Sequence, residues 1–240
     1  MRPRKFLSAS PVVARAAPFL IFVLLTAAQG KFGAASAYWF YFAKTLVGLW
    51  LVFEIRPLVV EMRWAFSWEA VLVGVGILVL WIGLDSFYPK TDELISKLGL
   101  SKIFGIGAAN SNPLLTSNPN LVFGQNSPLA WFFMLVHILG MTFVVPPLEE
   151  IFYRSFLYRY IAKADFQSVP LNQFLPLPFF ATAIVFGFEH NQWLAGILCG
   201  AAYQWLVLRK NRLGDAMTAH AITNFLLGVW IVWRGAWNFW

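Results

Sequence analysis

Apolar residues dominate seven stretches of the chain, roughly 14–30, 38–55, 69–84, 129–148, 174–190, 194–209 and 215–233, with clusters of charged and turn-forming residues between them. A helix needs about 20 mainly apolar residues to cross a bilayer core. Several of these stretches are shorter, so their edges are soft and six to eight crossings are compatible with the pattern. The expectation is an all-α fold, a polytopic membrane helix bundle of about seven transmembrane helices. A long polar segment, Asp85 to Ser127, separates the third stretch from the fourth. It carries two strong turn signals, Asn110-Ser111-Asn112-Pro113 and Ser117-Asn118-Pro119-Asn120. Its first part, Thr91 to Ile103, places Leu94, Ile95 and Leu98 at helical spacing and predicts a helix lying on the membrane surface. No internal repeat is present. The chain reads as one membrane domain: residues 1–128 supply N-terminal helices with the polar loop 85–128, and residues 129–240 form a helical core.

Composition strengthens this picture. The chain is 59% hydrophobic and 12% charged, with a mean hydropathy of +0.65, whereas soluble domains carry about 25% charged residues. That excludes an ordinary soluble domain. The net charge of +7 then reads as basic loops facing anionic lipid, with the bilayer rather than nucleic acid as partner. With the N-terminus inside, 12 Lys and Arg fall on inner segments and 5 on outer ones, with Lys44 inside a span. This bias predicts a cytoplasmic N-terminus. Basic residues ahead of Ala16–Ala28 imitate a signal peptide, but Gln29-Gly30-Lys31 is a poor cleavage context, so the segment is read as a retained first span. The single cysteine, Cys199, excludes an intrachain disulfide or a cysteine-based metal cluster and reads as a packing residue.

Three polar clusters interrupt the apolar helices. The first is Glu149-Glu150 with Arg154, following Pro146-Pro147; the prolines are expected to kink the helix and open a cavity. The second is Phe186 with His190, and the third is His220 with Asn224. Each contains a spacing of four, which puts Glu150 beside Arg154, the Phe186 ring against His190, and His220 with Asn224 on one face. Ionisable groups at membrane depth are costly and rarely face lipid. Chain geometry favours convergence. If 148–163 and 176–190 form an antiparallel hairpin, Glu149 and His190 each lie 14 residues from its tip, about 21 Å of helix. A carboxylate near an imidazole takes a proton from water, and a second histidine with an amide donates to a developing oxyanion. These parts suit peptide-bond hydrolysis by activated water. Glu149, His190 and His220 are also ligand types for Zn²⁺, although no His-Glu-x-x-His signature is present.

The ordered set Glu149-Glu150…Arg154, Phe186…His190 and His220…Asn224, spread over successive helices, resembles the CAAX prenyl endoprotease and bacteriocin-processing family, also called the ABI family. The resemblance covers about residues 129–233. It implies an intramembrane endopeptidase in which Glu149 activates water with help from His190. It further implies that His220 and Asn224 form the oxyanion hole and that Arg154 holds the glutamates. No cofactor is favoured, with zinc the alternative, and the substrate is a membrane-associated or lipidated protein or peptide. Size and layout are similar to the subset that accompanies bacterial exosortase protein-sorting systems, and imply a bacterial inner-membrane location. Where the family commonly has glycine after the motif arginine, this chain has Ser155, a departure expected to matter little. The family also allows a catalytically silent member acting as scaffold or immunity factor. Outside it, a proton-coupled transporter with buried Glu and His relays is the remaining class.

Other residues receive plainer readings. His137 is expected to be a satisfied membrane histidine. Glu189 is read equally as a support for His190 or as an interfacial charge. Gly196 and Gly200 are expected to let helices approach closely, and Lys44 to snorkel to the interface. Trp193, Trp230, Trp233, Trp237 and Trp240 are expected to be interfacial anchors.

Overall fold

Three serines start helices in the same way. The hydroxyls of Ser10, Ser67 and Ser127 accept hydrogen bonds from the backbone amides of Val13, Ala70 and Ala130. Each satisfies one of the donors that a helix start leaves unpaired. The computed structural model describes residues 3–29, 33–100 and 117–240. Among these the principal helices are α1 (Pro11–Ala28), α2 (Ala34–Ile55), α3 (Trp68–Gly83), α4 (Thr91–Lys97), α5 (Pro128–Ala162), α6 (Pro176–Phe188), α7 (Trp193–Lys210) and α8 (Gly214–Arg234). The fold is all-α, with no strand among the described residues.

Every one of the seven apolar stretches forms a helix, but they differ in reach. α2, α5 and α8 are long and apolar enough to cross a membrane. α3 followed by Asp85–Lys97 passes the same test as one span bent by 41°. α1 and α6 are shorter apolar helices. The chain is an integral membrane protein. The surface helix expected over Thr91 to Ile103 is present as α4, which ends at Lys97. Positions 101–103 and the Asn110-to-Pro113 turn lie outside the described residues.

α5 continues past Pro146-Pro147. Its hydrogen-bond ladder is interrupted at Val144, and helix resumes at Val145 with the two prolines in the new first turn, where the missing amide hydrogens are not needed. Directly after Glu150 the helix widens into a π turn, Ile151–Leu157, and then returns to α geometry.

Close approach between helices follows the small residues. α6 and α7 meet where Gly196 faces Gly187 and Gly200 faces Ala183; a Cβ on Gly196 would fall 2.9 Å from the Gly187 Cα. The expected role of Gly196 and Gly200 is therefore observed. α3 and α8 meet at Gly74, where a Cβ would stand 2.7 Å from the Ala219 carbonyl.

A buried ionic clamp ties the N-terminal helices to α5. Glu61, in the α2–α3 connection, accepts from Arg15 at 2.9 Å and from Arg159 at 2.7 Å. Ser155 stands at the centre: its hydroxyl donates to Glu61 at 2.5 Å and accepts from Arg15 and Arg159, each at 2.9 Å. The expectation that Ser155 matters little is thus corrected. A glycine there would remove the hydroxyl that both guanidinium groups and Glu61 share.

Lys44 also departs from expectation. It is 6% exposed and does not snorkel. Its ammonium donates to Thr26 Oγ1 at 2.9 Å and lies over the rings of Phe22 and Tyr41.

Candidate active site

Three helices carry the polar clusters to one place. On α5, Glu150 and Arg154 are both fully buried, with Glu150 Oε2 3.1 Å from Arg154 Nε. The other Glu150 oxygen accepts from His220 Nδ1 at 3.0 Å. Glu150 therefore bridges a guanidinium on its own helix and an imidazole on α8. The two terminal nitrogens of Arg154 have no hydrogen-bond partner among the described residues. Instead the guanidinium lies over the Phe186 ring at 4.8 Å and the Tyr153 ring at 5.5 Å, which offsets part of the cost of burying the charge. Such an ion pair is hard to justify by stability alone, because desolvation consumes most of its attraction.

His220 is held on three sides. Tyr203 stacks on its ring at 5.1 Å, Phe186 meets it edge-on at 6.1 Å, and Glu150 fixes Nδ1. Because a carboxylate only accepts, Nδ1 carries the proton, and Nε2 points to Glu149, whose Oε2 is 3.9 Å away. That separation exceeds a hydrogen bond. One turn further on, Asn224 Nδ2 donates to the Met141 carbonyl at 2.7 Å. This fixes the amide and leaves its second N–H free for another acceptor.

His190 lies just past the end of α6. Its Nδ1 is 2.8 Å from the Phe186 carbonyl. A carbonyl can only accept, so Nδ1 is the protonated nitrogen and Nε2 of the neutral ring keeps its lone pair. The expected pairing of Phe186 with His190 is observed, with ring centroids 4.9 Å apart. Trp81 meets the His190 ring edge-on at 5.3 Å. The polar segment after α3 clamps this turn: the Thr91 hydroxyl donates to the His190 carbonyl at 2.9 Å, and Trp193 Nε1 donates to the Pro89 carbonyl at 2.9 Å.

These side chains share one cavity. Glu149, His190, His220 and Asn224 all line a pocket of about 240 Å³ walled by Trp81 and Tyr203. Of the five candidate catalytic residues named from the sequence, Glu149, His190, His220 and Asn224 line this cavity together with Phe186, while Glu150, the fifth, and Arg154 do not line it. A second pocket of about 420 Å³ also reaches Glu149 and His190, from the side of α1 and α2. Glu189 lines it, and its carboxylate accepts from the Tyr153 hydroxyl at 2.5 Å.

Several residues around the site were not among those expected there, and Cys199 was expected only to pack. Tyr203 and Cys199 both line the cavity from α7, and their spacing of four on a helix was a usable signal. Thr91, Trp81 and Tyr153 had no such signal. His137 sits at the cavity edge with its ring stacked between Tyr41 at 4.3 Å and Trp240 at 3.9 Å. Trp240 and Trp193, two of the five tryptophans expected as interfacial anchors, thus also pack against the site.

Among the described residues no three His, Cys, Asp or Glu side chains form a group placed to hold a metal. Nδ1 of both histidines is engaged, by Phe186 and by Glu150, which leaves Nε2 of each ring open.

No curated protein and no solved structure matches the chain. Residues 130–226 match the family model described as type II CAAX prenyl endopeptidase Rce1-like. That range runs from the first turn of α5 into the middle of α8 and contains all three polar clusters. The motif-bearing part of this chain is similar to the Rce1-like type II CAAX prenyl endopeptidases.

Proposed function

We propose that the protein is an intramembrane endopeptidase that hydrolyses a peptide bond of a membrane-associated substrate with water activated by Glu149. The observation that carries this reading is the convergence of Glu149, His190, His220 and Asn224 on one buried cavity, with Glu150 and Arg154 fixing His220 from behind. The family name, which denotes prenyl endopeptidases, supports the same reaction class.

Glu149 takes a proton from a water that His190 Nε2 also engages as acceptor, and the resulting hydroxide attacks the scissile carbonyl carbon. His220 donates from Nε2 to the developing oxyanion. Glu150 holds that ring in place by accepting from Nδ1–H. The free N–H of Asn224 is the second donor. Collapse of the tetrahedral intermediate breaks the C–N bond as the proton held by Glu149 passes to the leaving amine. The products are a carboxylate and an amine. No step in this mechanism is routed through a metal.

Comparative proteomics of cells carrying wild type or Glu149→Ala tests the reading. Membrane proteins with unprocessed ends should accumulate in the variant. Identical peptide ends in both strains would refute it, and would favour a silent scaffold. Proton-coupled flux in liposomes without cleavage would instead identify a transporter. Activity that disappears with strong chelators and returns with zinc would overturn the metal-free mechanism.

A further inference from the structure

Five arginines, Arg15, Arg154, Arg159, Arg209 and Arg212, each stand within 4.0 Å of a carboxylate. Arg4, Arg56 and Arg63 have no such partner among the described residues, and their side chains make no hydrogen bond there. All three line one groove of about 1020 Å³, and no acidic residue lines it with them. The groove shares no lining residue with the candidate active-site cavity.

Local patterning builds this groove. Where α2 ends, Ile55, Val59 and Met62 turn inward and are buried, while Arg56, Val60 and Arg63 are left exposed. The connection is braced from behind. The amides of Val59 and Met62 donate to the carbonyls of Ile55 and Val59, each at 3.0 Å. Glu61 is held in the clamp with Arg15 and Arg159. Gly214 packs so closely on the Arg63 carbonyl that a Cβ there would collide with it.

The rest of the wall is apolar. Phe53 and Phe143 are 62% and 55% exposed, and Leu49 continues the wall along α2. Leu49 precedes Arg56 by seven residues, about 10 Å of helix. A charged mouth with an apolar length behind it matches a phospholipid. The forked donors of guanidinium groups suit phosphate oxygens, and an acyl chain covers the apolar wall, which an acidic peptide would leave bare. No carboxylate lines the groove to receive a cationic headgroup, so a lipid of net negative charge fits it better than a zwitterionic one.

We propose that this groove holds one anionic phospholipid, its phosphate bound by Arg4, Arg56 and Arg63 and one acyl chain laid along Phe53, Leu49 and Phe143. The site does not depend on the endopeptidase reading.

The test uses the full chain, purified in neutral detergent and offered equal amounts of phosphatidylglycerol and phosphatidylcholine with identical acyl chains. Native mass spectrometry counts the lipids retained. One phosphatidylglycerol per chain should be kept, with a preference of about tenfold over phosphatidylcholine. Arg4→Gln, Arg56→Gln and Arg63→Gln should each weaken its retention about fivefold, the scale of one basic residue at an anionic surface. The triple variant should erase the preference, and Arg209→Gln, outside the groove, should leave it unchanged. Leu49→Trp fills the apolar length with the arginines intact and should lower retention, and glycerol phosphate, which has no chain, should not compete. Equal retention of the two lipids, a preference that survives the triple variant, an equal loss in Arg209→Gln, or full retention in Leu49→Trp would overturn the site. Displacement of phosphatidylglycerol by an acetylated tri-glutamate peptide at equal concentration would also overturn it, and would assign the groove to an acidic protein segment. Melting curves check that each variant is folded, and the single variants carry the test if the triple one is not.

Discussion

Glu150 and His220 are joined by a 3.0 Å hydrogen bond across 70 residues of chain. This bond separates the two adjacent glutamates into different jobs. Glu149 faces the cavity, whereas Glu150 is sealed behind it between Arg154 and His220. In the proposed mechanism Glu150 acts through His220, as a positioning group.

Glu150→Gln keeps the shape and removes the charged acceptor that holds His220 Nδ1. Activity should fall about 10² to 10³-fold, the scale of one lost oxyanion donor, with KM little changed. Glu150→Ala should be worse in another way. It strands Arg154 as a buried, unpaired cation, at a cost of about 3–5 kcal/mol. Denaturation of the purified variants, alongside kinetics on a substrate found by proteomics, separates the two effects.

Glu149→Gln should lose activity by about 10² to 10⁴-fold, the range for a general base. Its folded state should be as stable as wild type or more so, because a buried carboxylate without a hydrogen bond to Oε2 is removed. A variant that is inactive only because it melts early would argue against the assigned role.

Glu61 gives the acid limb of stability. Burial pushes its carboxyl up, but the Ser155 hydroxyl and the charge and hydrogen bonds of Arg15 outweigh that and hold it below the usual range. A depressed folded-state value means that the stabilisation is complete above the unfolded value, about 4.3. It is lost as pH falls through the lower folded value. Melting temperature should drop from about pH 5 downward in wild type and be flatter in Glu61→Gln. Ser155→Ala should cost about 1–3 kcal/mol at neutral pH.

Gly187 sets the approach of α6 to α7. A Cβ there would lie 2.7 Å from the Trp193 carbonyl and collide with Ile197. Gly187→Ala should destabilise by about 1–3 kcal/mol. It should also lower kcat, since His190 follows three residues later. Trp193 fluorescence reports the displacement directly.

The sequence legibly carried the helices and the four cavity-facing groups, because both rest on local rules. Apolar stretches form helices whatever their neighbours, and the spacing of four in Phe186–His190 and His220–Asn224 survives folding intact. What it concealed depends on distant partners. Ser155 looked inert because its importance comes from Arg15 and Glu61, both far away in the chain. Lys44 looked like a snorkelling residue because composition does not reveal that Thr26, Phe22 and Tyr41 enclose it. Thr91 sits in a polar loop and offers no pattern, yet it holds the carbonyl of His190.

The π turn at Ile151–Leu157 closes with a bond from the Tyr158 amide to the Tyr153 carbonyl, five residues back. That extra residue per turn sets the angle at which two buried charge systems leave one helix: Glu150 with Arg154 toward His220, and Ser155 with Arg159 toward Glu61. Deleting a single residue there would restore an ordinary α-helix and leave hydropathy and membrane insertion unchanged. It would also break the four-residue spacing within one of the two systems, Glu150 to Arg154 or Ser155 to Arg159. The turn is in effect a phase offset that lets one helix reach His220 and Glu61 at once.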